Sequence, residues 1–565
     1  MAGFDYPHFP FTRCPEMNGV WPRHDVIIAG GGPVGLTAAL ELARFGIRSV
    51  VLEDGATVSE GSRALCWSQR SLEILDRHGV AEPMLARGYT WNAGRVYHGE
   101  REIYRFDLLP DRDRKHPAFT NLQQYHAESF LLAAVAREPH IELRWQSKVV
   151  GVSVSEGEAL VEVETPDGRY ETRGRYLIAA DGARSTVRRA LGLDFAGRVF
   201  EDHFLIADVF VHADLPSSDR RFWFHPTFHG GETALCHKQG DDQWRVDFQL
   251  GWDIDPDAEK QPERVLSRVK RMLGDHPMEL SWVSIYTFQA RRLERFRHGP
   301  VLFAGDAAHQ VSPFGARGGN SGLEDAHNLA WKLALVLGAK APERLLDSYH
   351  DERAYAADEN IRITSRTTDF LTPKTAASRA FRDAALDLAQ TFPFARAIVN
   401  SGRLSTPIHL AQSPLNTSDE LGDFAAGIRP GAPCPNLPAA AADPRPRPAH
   451  HLLEALAEGF SLLYFAAPGG DVPQAERAAL AALAAGEVAL EPLIIAPSGE
   501  RGGAFPLLID QQGRLAQAFD AHPGSAYLVR PDHYVAARWR RLDIAALRAA
   551  LARASGQTAR AEALP

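Results

Sequence analysis

Residues 25–35, Asp25-Val26-Ile27-Ile28-Ala29-Gly30-Gly31-Gly32-Pro33-Val34-Gly35, restrict what this chain can fold into more than any other segment. A short apolar run leads into a glycine turn, and a helical apolar pattern (Leu36, Leu40, Ala43) comes directly after it. That order predicts the start of a dinucleotide-binding βαβ unit. Its glycines let the backbone approach a pyrophosphate, which then sits at the positive end of the helix. Glu53 closes the next strand about twenty residues on, with Asp54 beside it, where a carboxylate accepts from an adenosine ribose hydroxyl. An acidic residue there argues against a 2′-phosphorylated nucleotide at this site. The expected contacts are Gly30, Gly32, Pro33, Val34, Gly35, Glu53 and Asp54.

Two later segments repeat the strand-then-glycine form. Tyr176-Leu177-Ile178-Ala179 precedes Asp181-Gly182, and Val301-Leu302-Phe303-Ala304 precedes Gly305-Asp306. The last continues through His309 and Pro313-Phe314-Gly315-Ala316-Arg317-Gly318-Gly319-Asn320 to Asp325, Asn328 and Trp331-Lys332. In this order the three segments resemble the FAD-dependent aromatic hydroxylases, a family of flavoprotein monooxygenases, over residues 25 to about 355, and most of all their phenol hydroxylase and 3-(3-hydroxyphenyl)propionate hydroxylase branch. The resemblance implies bound FAD, with NADH or NADPH and O2 as co-substrates. It implies hydroxylation of a phenolic ring through a flavin C(4a)-hydroperoxide, as in aromatic compound catabolism. The cofactor supplies that chemistry and the protein supplies orientation, electrostatics and water exclusion. No second glycine fingerprint marks a nicotinamide site, which agrees with transient binding.

The resemblance also implies site residues. Gly305 and Asp306 touch the ribityl chain, while Gly318 and Asn320 hold the ring at the start of a helix. Pro313 places its carbonyl against the flavin edge. Arg317 replaces a family lysine in the frame Pro-x-Gly-Ala-(basic)-Gly-x-Asn, where a fixed cation stabilises the anionic reduced flavin; a surface arginine is the plainer alternative. Arg63 follows the second strand, Gln124 stands four residues before Glu128, and Asp181 belongs to the Asp-Gly motif; all three are expected on FAD. Leu65 falls where phenol hydroxylase carries an activating aspartate, so that carboxylate is missing. Asp247, in Arg245-x-Asp247-x-Gln249, falls where these enzymes carry a substrate-contacting tyrosine. Buried there, a carboxylate with a raised pKa accepts a phenol proton; a solvent-facing strand aspartate is the alternative. His225, His229, His237 and Tyr286 are the other candidate bases, and Lys238 a candidate for a substrate carboxylate.

The fold class expected is α/β: a Rossmann-type FAD-binding domain, an inserted and mostly antiparallel substrate-binding sheet, and a C-terminal thioredoxin-like domain. Residues 1–23 read as an arm, 24–195 and 290–400 as the discontinuous FAD-binding domain, and 196–289 as the substrate domain. Residues 430–448, rich in Pro and Ala, read as a linker before the thioredoxin-like domain at 449–557. Period-two alternation in Phe204–Val209, Trp244–Leu250 and Trp282–Tyr286 carries the sheet reading. No cysteine lies beyond Cys434, which excludes dithiol chemistry there; support or homodimer formation is the expected role, with regulation as the alternative.

A net charge of −9 offers no basic field for nucleic acid or anionic membranes. Cys14, Cys66, Cys236 and Cys434 are scattered, so no metal site or disulfide framework is expected. With no apolar run of about 18 residues and no signal peptide at the start, the chain is expected in the cytoplasm. Two alternatives stay open: a flavin-dependent epoxidase or polyketide-tailoring oxygenase, and a non-catalytic flavin-binding sensor. Substrate-stimulated NAD(P)H oxidation separates catalyst from sensor.

Overall fold

The computed structural model describes residues 4–61, 64–108, 113–215, 219–251, 254–400, 404–419, 424–442, 449–499 and 505–558. Three large sheets carry the architecture.

The first sheet is built on Arg23–Ala29, whose parallel neighbours are Ser49–Leu52 and Gly168–Ala179; Ile141–Arg144 and Val301–Phe303 extend it on either side. Val26 to Ala29 have no exposed surface, as expected of a parallel strand covered on both faces. Helices Pro33–Arg44 and Gly318–Leu337 pack over the glycine turn. Gly35 permits this packing, because any Cβ there would collide with the Gly30 carbonyl. An antiparallel hairpin, Lys148–Ser155 and Glu158–Thr165, lies along Gly168–Ala179. The N-terminal arm lies against this layer: Phe9 stacks on Trp145 at 4.1 Å, and buried Glu16 meets Arg144 at 3.0 Å.

The second sheet has eight strands in the order His309–Gln310, Met278–Leu293, Phe195–Val211, Gln243–Leu250, Ala234–Lys238, Arg220–Phe224, Ala93–His98 and Arg101–Asp107. All pairs are antiparallel except Arg220–Phe224 with Ala93–His98. The sheet therefore differs from the expected 196–289 segment. It recruits residues 93–107 from the first part of the chain, Ala93–His98 pairing with Arg220–Phe224 and Arg101–Asp107 becoming the outer edge. Its register sets which side chains share a row: Phe222 pairs with Leu235, Leu235 with Asp247, and Asp247 with Ile206.

Helices Asp347–Leu371, Ala376–Ala389 and Pro393–Val399 come after Gly318–Leu337. The third sheet runs Ala440–Ala441, Leu507–Ile509, Leu490–Ala496, Phe460–Phe465, Ala526–Val529 and Val535–Trp539. Helix Gln474–Ala484 joins its two central parallel strands; the parallel strand Leu507–Ile509 and helix Arg514–Ala518 lead to the antiparallel hairpin Ala526–Val529 and Val535–Trp539, and helix Ile544–Ala554 closes it. The expected linker is corrected here. Cys434, Leu437 and Ala439 are buried in the core of this sheet, and Ala440–Ala441 is its edge strand; 443–448 lie outside the described residues.

The third sheet is tied to the first layer by a buried charge network. Arg530 donates to both oxygens of Glu352 and to Asp532, while Lys332 donates to Glu352 at 2.7 Å and Asn328 to Asp532 at 2.9 Å. Among the described residues, no helix is long and apolar enough to cross a membrane.

Candidate active site

One cavity of about 880 Å³ runs from the end of the second parallel strand, past the glycine turn, to the second sheet. Its first end is a dinucleotide cradle. Gly30 holds φ +101°, and a Cβ there would come within 2.5 Å of the Ala180 carbonyl oxygen. Gly30, Gly32, Pro33 and Val34 line the cavity, as do Glu53 and Asp54. Glu53 accepts from the Gly31 N–H at 2.6 Å and the Gly55 N–H at 2.9 Å; burial nonetheless keeps its carboxyl above the ordinary value. Gly35 does not line the cavity and acts in packing instead, a correction to its expected contact.

Asp181 lines the cavity and accepts from the Val187 N–H at 3.0 Å, while its second carboxylate oxygen is buried without a partner among the described residues. Burial raises its pKa, opposed by the hydrogen bonds at the helix start. Gln124 also lines the cavity, with its amide bonded to the Ala64 N–H, Ser59 and Glu128. Arg63 lies outside the described residues. A glycine cradle, two carboxylates at one end and an orphaned carboxylate oxygen in mid-cavity fit an extended dinucleotide.

The loop 305–320 forms the middle of the cavity. Gly305 itself does not line it; its N–H donates to Asp325 at 2.9 Å, and Asp306 is thereby turned into the cavity. Asp325 also meets His309 at 2.7 Å and Arg353 at 2.6 Å. Burial opposes its charge, but His309 and Arg353 hold its carboxyl below the ordinary value. Nothing in the motif spelled out this anchoring role; it comes from the fold, which brings Arg353 over from the next helix.

Arg317 lines the cavity and is buried, unlike a surface loop arginine. Its guanidinium donates to Asn360 Oδ1 at 2.8 Å and to the Leu404 carbonyl at 2.7 Å. Burial lowers its pKa to about 10, partly offset by Glu324, so it stays cationic at neutral pH. Pro313 and Gly318 line the same wall. Asn320 lines it too, but its side chain is engaged with the protein. It accepts from Ser68 N–H and Ser71 Oγ, and donates to the Cys66 and Ala316 carbonyls. Its amide ties the loop to strand Cys66–Ser68.

The far end of the cavity is set by the second sheet. Asp247, Leu235 and Ile206 share one row of the sheet and all line the cavity, beside Leu65. The Asp247 carboxylate has no hydrogen-bond partner among the described residues. Burial raises its pKa to about 6, against the pull of Arg245 and Arg220. The next row along brings His237, Arg245 and Arg220 to the same wall. Arg245 is committed to Asp208 through two bonds of 2.8 Å. Both ring nitrogens of buried His237 lack partners among the described residues, and burial with the neighbouring Arg220 and Arg245 holds its pKa well below the ordinary value. His237 is therefore a neutral imidazole.

Three of the candidate bases fall outside this wall. His225 is exposed at the end of its strand with φ +58°, and Tyr286 packs toward the neighbouring aromatic cluster. His229 lies 2.6 Å from the Gln249 carbonyl oxygen. Lys238 pairs with Asp242 at 3.3 Å and also lines no part of the cavity. Arg220, which belongs to no motif, does line it; only the strand register reveals that.

Residues 23–364 match a family described as FAD binding domain, and residues 445–554 match one described as HcaD C-terminal domain. Over 553 residues the chain is 33% identical to a 6-methylpretetramide 4-monooxygenase of Streptomyces rimosus, covering 95% of this chain and 94% of that one. It is 28% identical over 526 residues to a 3-(3-hydroxy-phenyl)propionate/3-hydroxycinnamic acid hydroxylase of Mycobacterium sp. (strain KMS), covering 91% and 88%. Among solved structures, the flavin-dependent monooxygenase PieE in complex with FAD and substrate superposes with a TM-score of 0.79 at 24% identity, covering 95% of this chain and 100% of that one. The OxyS anhydrotetracycline hydroxylase from Streptomyces rimosus gives 0.69 at 26% identity, covering 95% and 99%.

Proposed function

This chain belongs to the FAD-binding family of flavin-dependent aromatic monooxygenases, and on that premise we propose that it hydroxylates a phenolic ring held against Asp247. It is an FAD-dependent aromatic monooxygenase whose co-substrates are NAD(P)H and O2. The observation that carries the finer reading is the Asp247 carboxylate: walled into the cavity, without a partner among the described residues, and titrating near 6. A base with that pKa is ionised at neutral pH and takes a phenol proton without a second group to activate it. Removing the proton makes the ring electron-rich, which attack on an electrophilic oxygen requires.

When bound, FAD accepts hydride from the nicotinamide and activates dioxygen for transfer to the ring. The protein's own residues do the rest. Glu53 and Asp54 stand where the ribose of the adenosine end would lie, and Asp181 and Asp306 where the chain between the two ring systems would lie. Arg317 keeps a fixed positive charge in the wall where hydride transfer brings negative charge. Neutral His237 can orient a substrate oxygen, while Leu65 keeps that corner apolar and dry.

A tailoring oxygenase acting on a multi-ring phenol is a second reading of the same chemistry, favoured by the full-length likeness to the 6-methylpretetramide enzyme. Residues 24–195 with 290–400 we take as the FAD-binding domain and 196–289 as the core of the substrate domain. The third sheet we take as thioredoxin-like, from its βαβ-then-hairpin order. With no cysteine beyond Cys434 it carries no dithiol chemistry, and we take its part as support or homodimer contact.

Asp306→Ala is expected to weaken FAD retention by about 1.5–3 kcal/mol, the worth of a hydrogen bond to a charged acceptor. Equilibrium dialysis against FAD reads this; an unchanged affinity removes Asp306 from the site. Arg317→Ala is expected to slow flavin reduction about 10²-fold and to lower the flavin midpoint potential, with Arg317→Lys recovering most of both. An unchanged potential in a fully loaded Arg317→Ala protein would show that its charge plays no part.

A further inference from the structure

Phe314 and Arg220 each line two cavities: the one described above and a second chamber of about 640 Å³ behind it. Phe222 and Phe370 form the chamber's inner wall, and Phe381 and Ile398 its rim. We propose that this chamber is a substrate subsite and the route of entry. The apolar remainder of a multi-ring aromatic substrate lies there, while its terminal phenolic ring reaches past Phe314 and Arg220 to Asp247. The proposal rests on the reading that the reacting ring sits at Asp247.

Four observations converge on it. The first cavity, about 880 Å³ in all, must hold the dinucleotide along its wall from Glu53 to Pro313 as well as the reacting ring at Asp247. The second chamber is by itself within the range of about 300–1,000 Å³ typical of small-molecule sites.

The sheet then connects the two spaces. Phe222 pairs with Leu235 and Leu235 with Asp247, so one row of side chains leads from the chamber to the carboxylate. At about 4.8 Å per strand that row spans about 10 Å. A single ring does not bridge that distance; a linear multi-ring aromatic does.

At the junction, Arg220 is buried with its Nε lacking any acceptor among the described residues, and its guanidinium lies 5.1 Å from the Trp91 and Phe222 rings. Its one polar contact among those residues is the weak Cys66 Sγ at 3.8 Å. A buried guanidinium with donors to spare, held between aromatic faces, suits an anionic oxygen on an aromatic ligand.

Finally, the rim is greasy and open to solvent. Phe381 is 60% exposed and Ile398 40%, and Phe394 on the same helix as Ile398 is 61% exposed. Large apolar side chains gathered at a cavity mouth, with apolar walls inside, mark an entry for an apolar ligand. A partner protein would leave the chamber itself unexplained.

The test uses the FAD-loaded protein, with 1,8-dihydroxyanthraquinone as the three-ring probe and phenol as the one-ring probe, binding being read by equilibrium dialysis. The wild-type protein is expected to bind the three-ring probe at least about ten-fold more tightly than phenol. Ala397→Trp, which fills the chamber from its solvent-facing helix, is expected to abolish that preference while FAD content and unstimulated NAD(P)H oxidation stay unchanged. Should Ala397→Trp lose FAD, Phe381→Ser supplies the same reading, with an expected loss of several-fold. A probe bound no more tightly than phenol, or a preference that survives both substitutions, overturns the subsite. So does a change confined to the sedimentation mass, which would assign the rim to contact between copies. Failure of the subsite is distinguishable from failure of the Asp247 reading, because the subsite is tested by affinity and Asp247 by coupling.

Discussion

Asp247→Asn is expected to cut hydroxylated product about 10²–10⁴-fold, the usual worth of a positioned general base, while NAD(P)H oxidation continues. The substitution keeps the size and shape of the side chain and removes its charge. Because Asp247 makes no side-chain hydrogen bond among the described residues, no internal network is broken, and the fold and FAD content should be retained. With the ring left protonated, reduced oxygen leaves as hydrogen peroxide. The quantity to measure is product formed per NAD(P)H consumed, with peroxide quantified alongside. The pH dependence comes from the same group. A raised pKa of about 6 means the carboxylate is ionised and competent above that value. Product formation in the wild type should therefore fall as pH drops through about 6 and level off above it; in Asp247→Asn that inflection should vanish. Normal coupling in the variant would remove Asp247 from the role of base.

The second large effect is on stability. Arg530→Met is expected to destabilise the protein by about 3–5 kcal/mol, the cost of leaving one side of a buried ion pair without its partner. Glu352, Arg530, Asp532 and Lys332 are all fully or almost fully buried. Burial works against the Glu352 charge, while Arg530 and then Lys332 hold its carboxyl far below the ordinary range, so the substitution removes the larger of its two counter-charges. Lys332 does not replace Arg530, because it reaches one oxygen of Glu352, whereas Arg530 donates to both and to Asp532. The half-exposed Arg44–Glu458 pair in the same interface offers a contrast, since pairs of that kind are worth about 0–1 kcal/mol. Chemical denaturation monitored with FAD release reads both. Helix Gly318–Leu337 carries Asn328 at its middle and Lys332 in its C-terminal half, and the loop with Arg317 leads into its N-terminus, so FAD retention should fall as well. A loss below about 1 kcal/mol would mean that the third sheet does not brace that helix.

The glycine turns were legible because each sits at the end of a parallel strand, where one local pattern marks both the end of the strand and the turn that follows it. The period-two strands Trp244–Leu250 and Trp282–Tyr286 were legible for the same local reason. What local pattern could not reveal was pairing. The recruitment of Ala93–Asp107 into the second sheet, the placement of His237 on the cavity wall and of His225 off it, and the exposure of Arg220 to both cavities all depend on register between strands distant in sequence. The Pro/Ala stretch misled because an edge strand and a linker have similar compositions. Arg317 and Asn320 were located by their motif, yet the side-chain partners Asn360, Leu404 and Cys66 come from elsewhere in the chain.

Turnover under isotopically labelled dioxygen tests the central claim most directly. The FAD-loaded protein, supplied with NAD(P)H and a series of one-ring and multi-ring phenols, is expected to consume nicotinamide faster with at least one of them. The product of that phenol should carry a single labelled oxygen atom on its ring. Nicotinamide consumption that no phenol stimulates, or that yields only labelled hydrogen peroxide with every phenol, would contradict the account.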